Sequence, residues 1–235
     1  MDNISYGIKP IFMPSANICH EFARIHMSRL SPTEQEKLTA NNNLENAYLK
    51  AWNKERNVFA FAAYIDKEML GFITGSLNGK NMFTRALYVM PQYQGYGIGA
   101  TLLDSAENAA SLIAPNMELF SLASAVNFYQ NRGYKNTIVL GRVMKIKKLS
   151  NATGVIPIFQ WCDKLQSKLN IKIDVNLLKH PGHQPIFVYV NTQQKIDGIA
   201  IRSSNGEQKI KLNLKDKNLS QIYAQKLSSA LSLSL

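Results

Sequence analysis

The chain has 235 residues, of which 46% are apolar and 18% are charged. This composition excludes a disordered polyelectrolyte, and the longest uncharged apolar run, residues 58–65, is too short to span a membrane. Basic residues outnumber acidic residues by 27 to 16. The net charge of +11 favours anionic partners, but no run of five like charges marks a nucleic-acid tail. We expect a soluble globular protein with no membrane partner.

The first ten residues contain an acid and lack the apolar segment of a secretory signal, so we expect a cytoplasmic location. Two cysteines, Cys19 and Cys162, lie in separate halves of the chain. A secreted disulfide framework needs more cysteines, and both thiols are expected to be reduced and to serve in packing.

The chain is predicted to begin with a strand and helices. Residues 4–12 have strand character, and residues 15–30 place apolar side chains at helical spacing behind an N-capping serine. A second helix is predicted to begin at Pro32 and to continue, with a break near residues 41–43, to Trp52.

Three short strands rich in aromatic and β-branched residues follow, and turn signals separate them. An antiparallel meander is therefore expected, followed by a helix with a broad apolar face. These elements and the three that complete this half are predicted at residues 58–65, 69–77, 83–90 (strands), 100–113 (helix), 117–122 (strand), 125–132 (helix) and 138–146 (strand).

The remainder is predicted to be a second, smaller α+β unit. We expect domains at residues 1–147 and 155–235, joined by a polar linker at 148–154. The closing helix should place Leu219, Ile222, Tyr223 and Leu227 on one side. The other elements predicted here are a helix at 159–169 and strands at 186–190, 196–202 and 208–214.

The stretch VMPQYQGYGIGATLL, residues 89–103, is the most informative part of the sequence. Gly95, Gly97 and Gly99 lie between a predicted strand and a predicted helix. Such a turn leaves several backbone N–H groups unpaired at the positive end of the helix dipole, which suits a phosphate or a pyrophosphate. The alternative is a tight turn without a ligand.

Three common phosphate motifs do not fit this stretch. The dinucleotide fingerprint requires GxGxxG and an acid that closes the next strand, whereas the order here is GxGxG and that strand ends Leu122-Ala123-Ser124. A Walker loop and the lysine and HRD segments of a kinase are absent from the sequence.

A fourth motif fits. LYVMPQYQGYGIGATLL resembles the acetyl-CoA-binding motif of the GNAT N-acetyltransferase superfamily, with Gln94, Gly97 and Gly99 at its defining places. A second segment, Ala125 with NFYQNRGYK at residues 127–135, is similar to the family segment that holds an aromatic-Tyr pair and a Gly-aromatic pair. The resemblance covers residues 1–147. It implies an α/β (α+β) fold with a mixed, mostly antiparallel sheet flanked by helices.

The resemblance implies acetyl transfer from acetyl-CoA to a primary amine, which attacks the thioester directly in a ternary complex. The backbone of the glycine stretch would hold the pyrophosphate of coenzyme A, and main-chain groups of Leu87 and Val89 would pair with the pantetheine arm. An N–H near Val89 would polarise the thioester carbonyl. The implied cofactor-binding residues are Leu87, Tyr88, Val89, Gln94, Gly95, Tyr96, Gly97, Ile98, Gly99 and Ala100.

Tyr129 corresponds to the family tyrosine that protonates the departing thiolate, and it is the implied catalytic residue. The alternative is a core tyrosine on a helix face. The sequence departs from the family where a strand carboxylate often serves as base, because Thr84, Arg85 and Ala86 stand there. A water chain, Tyr88 or Glu45 remain as base candidates.

Other features carry weaker hypotheses. No asparagine ends the fifth strand, near Leu122, so one pantetheine contact of the family is expected to be missing. The spacing of His180, His183 and Cys162 suits no standard zinc pattern, and no metal site is predicted. The remaining candidates are Arg132 and Lys135 for the cofactor phosphates and Tyr48 and Trp52 for the acceptor pocket.

Two other functions remain open. The missing carboxylate also fits a non-catalytic acyl-CoA-binding module. The positive charge fits RNA or another polyanion as acceptor or partner, although no stacking motif favours nucleic acid. The acceptor, the role of the second domain and the oligomeric state, a homodimer included, are left open.

Overall fold

The computed structural model describes residues 4–12, 15–41, 44–54, 58–139, 142–159, 162–171, 185–202, 207–213 and 217–233. The chain divides into two compact units. The first comprises Met1–Glu107 and Asn116–Lys148, and the second comprises Asn108–Pro115 and Leu149–Leu235. Among the described residues, no helix is both long and apolar enough to cross a membrane.

The first unit contains a seven-stranded sheet in the order β1-β2-β3-β4-β5-β7-β6. Neighbouring strands are antiparallel except for β4 and β5, which are parallel. The strands are β1 (Gly7–Pro10), β2 (Val58–Ile65), β3 (Glu68–Asn78), β4 (Asn81–Val89), β5 (Asn116–Leu119), β6 (Lys135–Val139) and β7 (Arg142–Lys148). The predicted mixed, mostly antiparallel sheet is confirmed.

The helices of this part of the chain are α1 (Ala16–Met27), α2 (Pro32–Asn41), α3 (Leu44–Lys54), α4 (Ile98–Ser111) and α5 (Val126–Asn131). The predicted N-cap of α1 is confirmed, because the Ser15 side chain accepts from the N–H of Ile18. Ser31 and Glu34 form a capping box ahead of α2, in which the Glu34 carboxylate accepts from the Ser31 N–H at 2.9 Å.

Helix α1 covers one face of the sheet through a buried aromatic cluster. Phe22 and Ile25 of α1 are fully buried, and the Phe22 ring stacks on Phe72 of β3 at 4.2 Å. The start of α4 lies on the other face: a Cβ built on Gly99 would be 3.7 Å from the Val89 side chain. Because side chains alternate along a strand, Tyr88 faces α1 while Val89 faces α4.

One predicted strand in this unit was wrong, and one predicted helix is confirmed with a different starting residue. The single strand expected at 138–146 is two strands, β6 and β7, which pair as an antiparallel hairpin with Val139 opposite Arg142. The sequence offers Gly141 as the sole turn signal in that apolar run, and residues 140–141 lie outside the described residues. Helix α4 begins two residues earlier than predicted, so that Gly99 lies inside it.

The second unit contains a four-stranded antiparallel sheet in the order β11-β10-β9-β8. One helix follows β8 in the chain, and another follows β11. The sequence did not predict β8, and the helix expected at 159–169 is limited to four residues. The elements are β8 (Gly154–Ile158), α6 (Asp163–Gln166), β9 (Ile186–Val190), β10 (Ile196–Arg202), β11 (Gln208–Leu212) and α7 (Lys217–Leu233).

The buried face of α7 differs in part from the predicted one. Leu227 and Leu231 are fully buried, one helical turn apart, whereas Leu219 and Ile222 are 44% and 46% exposed. The apolar pattern at the start of this helix therefore does not mark the core face.

Candidate functional site

Strands β4 and β5 are paired over a short stretch and then diverge. Their parallel pairing ends at Thr84 and Leu119, where β5 stops, while β4 continues to Val89. Arg85 is an extra residue of β4, because the register with β3 shifts there. A bulge of this kind bends a strand and increases its twist. The β5-side edge of β4 over residues 85–89 therefore has no strand partner among the described residues.

A cavity of about 720 Å³ opens along this edge. Its described walls come from β4, the glycine turn, the first turn of α4, the segment after β5, helix α5 and the connection between α1 and α2. The cavity thus brings together both motifs that the sequence singled out.

The peptide groups of Leu87 and Val89 point towards the cavity. The N–H of Met90 donates to the carbonyl oxygen of Leu70 on β3 at 2.9 Å. Hydrogen-bonding direction alternates along a strand, so the groups of residues 87 and 89 face away from β3. The side-chain amide of Gln94 donates to the Val89 carbonyl oxygen at 3.1 Å, which links the glycine turn to the unpaired edge.

The glycine turn, residues 94–97, leads from β4 towards α4. Gly95 and Gly97 have φ angles of 87° and 82°, in the left-handed region that favours glycine. The N–H of Thr101 donates to the Gly97 carbonyl oxygen at 3.0 Å, and the amides of residues 98–100 therefore lie in the first helical turn, which offers them no intrahelical acceptor. These N–H groups border the cavity at the positive end of the helix and suit an anion.

Tyr129 enters the cavity from α5. Its side chain is 7% exposed and packs edge-on against Tyr134. Among the described residues its hydroxyl has no hydrogen-bond partner. Burial, with a smaller contribution from Tyr88, raises the pKa of Tyr129 to about 12. The phenol is therefore protonated at physiological pH, as a proton donor must be.

The cavity is bordered by positive charge. Arg29, Arg85 and Arg132 line it, and no acidic residue is among its described lining residues. Arg132 forms an ion pair with Asp104 of α4, and its Nε is buried without a partner in the described part of the chain. The Nε of Arg85 donates to Ser76 Oγ at 3.0 Å. This charge distribution attracts anionic ligands.

Tyr88 lines the cavity, and its side chain contacts a half-buried histidine, His26 of α1. Its hydroxyl lies 3.2 Å from Nε2 of His26, and the two rings stack at 4.4 Å. Nδ1 of His26 lies 3.1 Å from the hydroxyl of Tyr48 on α3. Sequence reasoning named Tyr48 for the acceptor pocket, but Tyr48 is not among the described lining residues.

Most of the predicted site residues line the cavity. Tyr96 does not; its side chain is 37% exposed. The sequence did not predict Arg29 and Phe120 as site residues. They lie in connecting segments, and only the tertiary fold brings these segments to the cavity. The predicted residues that line the cavity are Leu87, Tyr88, Val89, Gln94, Gly95, Gly97, Ile98, Gly99, Ala100 and Tyr129.

Other candidates lie elsewhere. Lys135 is exposed and Glu45 pairs with His20 at 3.3 Å; neither is among the described lining residues. The side chain of Trp52 is outside the described part of the structure.

No metal cluster occurs among the described residues: they contain no group of three histidine, cysteine or acidic side chains placed to hold a metal ion. His180 and His183 lie outside the described residues.

Comparison with known families identifies this fold. The family model described as an acetyltransferase (GNAT) domain matches residues 29–146, half of the chain. The chain belongs to the GNAT acetyltransferase family. The resemblance and the prediction of an acyltransferase that uses acetyl-CoA are confirmed. Residues 147–235 lie outside the GNAT match.

Individual GNAT proteins support this assignment. An uncharacterized N-acetyltransferase of Methanocaldococcus jannaschii is 32% identical over 124 residues, which cover 47% of this chain and 78% of that protein. The PaiA N-acetyltransferase from Thermoplasma acidophilum, solved in complex with coenzyme A, has 19% identity and a TM-score of 0.51, covering 62% of this chain and 99% of its own. A GNAT-family protein from Desulfovibrio desulfuricans has 14% identity and a TM-score of 0.51, covering 62% and 100%. The two solved structures show a shared fold.

Proposed function

We propose that this GNAT domain binds acetyl-CoA in the cavity between β4 and β5 and transfers its acetyl group to a primary amine in a ternary complex. One observation carries the proposal: a single cavity is bordered by the amide cluster at the start of α4, the unpaired edge of β4 and Tyr129. These features suit a pyrophosphate, a strand-like pantetheine arm and a proton donor, respectively.

The pyrophosphate binds to the backbone of Gln94–Ala100. The positive φ angles at Gly95 and Gly97 let the chain wrap an anion without a Cβ in the way. Arg132 adds a guanidinium at the cavity wall. Its buried, unpartnered Nε is a donor that a phosphate oxygen would satisfy.

The pantetheine arm lies along the unpaired edge of β4. Its amides pair with the peptide groups of Leu87 and Val89 as a short strand would. A pantetheine N–H replaces the Gln94 side chain as donor to the Val89 carbonyl oxygen. The Val89 N–H points into the same space and polarises the thioester carbonyl as negative charge develops on its oxygen.

Tyr129 protonates the departing thiolate. A phenol of pKa about 12 is a weak acid for a thiolate whose conjugate acid has a pKa of about 8.5 in water. The burial that raises the phenol pKa also raises the pKa of a thiol in the same site, so the mismatch narrows when coenzyme A is bound.

The acyl group passes directly to the amine, without an acyl-enzyme. The described lining of the cavity contains no cysteine, and burial raises the pKa of the Cys19 thiol, which is fully buried elsewhere in the unit. A buried thiol of raised pKa is a poor nucleophile. Catalysis therefore depends on bringing two substrates together and moving their protons.

Two measurements on the full chain test this function. Calorimetric titration with coenzyme A should give saturable binding, and release of free thiol from acetyl-CoA should accelerate with at least one member of a panel of small amines, amino acids, peptides and aminoacyl-tRNA. Binding without thiol release on any acceptor would favour an acyl-CoA-binding module instead. Absence of binding would remove the proposal.

We also propose that residues 1–147 and 155–235 are separate domains joined by a linker at 148–154. The gap between the end of β7 at Lys148 and the start of β8 at Gly154 supports this division. Limited proteolysis should cleave first within residues 149–153 and leave two protease-resistant fragments; preferential cleavage inside either sheet would contradict it.

A further inference from the structure

The acceptor amine must lose a proton before or as it attacks, and the proposed function leaves that proton without an acceptor. At neutral pH an aliphatic amine is mostly protonated, and the resulting ammonium group has no lone pair with which to attack the thioester. No acidic residue lies among the described lining residues, and β4 has Thr84, Arg85 and Ala86 where a carboxylate would be expected.

A hydrogen-bonded chain of three side chains leads out of the cavity on the α1 side. It runs from the Tyr88 hydroxyl to Nε2 of His26 at 3.2 Å, and from Nδ1 of His26 to the Tyr48 hydroxyl at 3.1 Å. Tyr88 is on β4, His26 on α1 and Tyr48 on α3. Three elements thus fix the imidazole, and the stacked Tyr88 ring holds its plane.

We propose that Tyr88 and His26 act together as the general base of the transfer, with Tyr88 in contact with the acceptor amine and His26 acting through it. This inference rests on the proposed function. The Tyr88 oxygen accepts the proton that the acceptor nitrogen loses, while the Tyr88 O–H proton passes to Nε2 of His26. One N–H and one O–H bond break, and one O–H and one N–H bond form. The imidazolium then loses its proton to water. The second proton that the nitrogen loses as the amide forms goes to the solvent, which returns a proton to the Tyr129 phenolate left by protonation of the thiolate.

The proposal requires one particular tautomer of His26. For Nε2 to accept from Tyr88, the neutral ring must carry its proton on Nδ1, and this N–H then donates to the Tyr48 oxygen. Tyr48 therefore positions the imidazole and holds it in the accepting tautomer, a role that a hydroxyl on α3 can fill without entering the cavity.

The electrostatic environment agrees with this assignment. Burial lowers the pKa of His26 below its usual value, so that the ring is neutral with an available acceptor at pH 7. Among the described residues, the titratable groups in hydrogen-bonding contact with His26 are Tyr48 from α3 and Tyr88 from β4. Burial raises the pKa of Tyr88, while the positive charge of Arg29, from the connection after α1, opposes that rise. Arg29 therefore favours the transient negative charge that proton transfer through Tyr88 requires.

The position of the thiolate acid also fits. Tyr88 of β4 and Tyr129 of α5 both line the cavity. A base on one wall and an acid on another suit a reaction that removes a proton from the amine and delivers one to the sulfur.

The test compares Tyr88→Phe, His26→Gln and wild type in the full chain, with His20→Gln as control. His20 is an exposed histidine on the same helix, with its side chain 66% exposed. Both Tyr88→Phe and His26→Gln should lower kcat by roughly a hundredfold, the usual contribution of a general base, with the acetyl-CoA dissociation constant unchanged. His20→Gln should keep the wild-type kcat.

The pH profile separates catalysis from packing. In wild type, kcat should fall on the acid side as His26 becomes protonated, at a pH below 6.5, because an imidazolium cannot accept a proton. His26→Gln should lose this limb and regain rate as the pH rises and the acceptor amine becomes neutral in solution. A variant damaged only in packing would keep the wild-type pH profile at a reduced amplitude.

The experiment distinguishes failure of the proposed base from failure of the proposed function. An active wild type in which folded Tyr88→Phe and His26→Gln variants keep its kcat and acid limb would overturn this base alone. A wild type that binds acetyl-CoA and acetylates no amine would overturn the proposed function, and the base with it.

Discussion

The rings of Tyr129 and Tyr134 lie 5.5 Å apart, but their hydroxyls have different environments. The Tyr134 hydroxyl donates to Glu107 at 3.0 Å, and burial together with that carboxylate raises the pKa of Tyr134 far above its usual value. Tyr129 lines the cavity, and its hydroxyl has no partner among the described residues. Of these two adjacent buried tyrosines, Tyr129 therefore has a hydroxyl that is available to a ligand, whereas the hydroxyl of Tyr134 is held by Glu107.

We expect Tyr129→Phe to lower kcat by roughly a hundredfold while the acetyl-CoA dissociation constant stays within about twofold, because in the proposed mechanism the phenol protonates the departing thiolate and makes no contact needed for cofactor binding. Tyr134→Phe should instead reduce the free energy of unfolding by about 1–2 kcal/mol and leave kcat unchanged. Thiol-release kinetics and urea denaturation measure the two effects. Equal turnover of Tyr129→Phe and wild type would remove Tyr129 from the acid role.

A side chain at Gly97 should abolish cofactor binding. Gly97 and Gly79 both have positive φ angles, and neither has a neighbour within 3.4 Å of a built Cβ, so Gly97→Val and Gly79→Val impose similar backbone strain of about 1–3 kcal/mol. Gly79 lies in the β3–β4 hairpin, away from the cavity lining. Calorimetry should detect no coenzyme A binding to Gly97→Val and near-wild-type binding to Gly79→Val. Similar affinities in the two variants would contradict the pyrophosphate site.

Arg132 should contribute to coenzyme A affinity and Lys135 should not. Arg132 lines the cavity, whereas Lys135 is exposed outside it. Loss of a charge-assisted contact of about 1.5 kcal/mol weakens binding about tenfold, which is the expectation for Arg132→Gln. Lys135→Gln is the control, and added salt should weaken wild-type binding more than Arg132→Gln binding. An identical salt dependence in both would place the phosphates elsewhere.

The pair between Lys147 and Glu107 should matter for stability. Its atoms are 2.6 Å apart and the side chains are 23% and 11% exposed. Lys147→Met leaves the Glu107 carboxylate with Tyr134 as its remaining donor among the described residues, and we expect a loss of about 2 kcal/mol in the free energy of unfolding. Lys148→Met, at the exposed neighbouring position, should change it by less than about 0.5 kcal/mol. Equal urea midpoints would show that the pair is energetically neutral.

Stability should depend on pH through His26. Its pKa in the folded protein is lowered by burial, so between that value and about 6.5 the unfolded chain binds the proton more readily than the folded one. This contribution to stability is complete above pH 6.5 and is lost as the pH falls. The drop in urea midpoint from pH 7.5 to pH 5.5 should therefore be smaller in His26→Gln than in wild type or His20→Gln; an equal drop would assign the effect to other groups.

Local signals in the sequence predicted most of the fold. The strands at 58–65, 186–190 and 196–202 match the structure because turn residues or polar segments bound each apolar run. The hairpin of β6 and β7 was missed because its apolar run crosses the turn with a single glycine. Burial of α7 was mispredicted because periodicity does not state which part of a helix meets the sheet.

The parts of the candidate site that belong to the two motifs could be predicted from the sequence. The two motifs place the glycine turn and Tyr129 along the chain, and both border the cavity. The unpaired edge of β4 was not visible in the sequence, since it arises from the bulge at Arg85 and from the early end of β5. The Tyr88–His26 pair joins residues 62 positions apart, a contact that only tertiary structure creates.

The interrupted pairing of β4 has a consequence for handling the protein. Exposed strand edges recruit other extended chains, and native proteins usually shield them. In the proposed complex, coenzyme A would lie along residues 87–89 and would occupy the hydrogen-bonding positions that a second polypeptide could otherwise take. Preparations stripped of the nucleotide should therefore precipitate sooner on storage than saturated ones, and the metabolite would act as a solubility factor as well as a substrate.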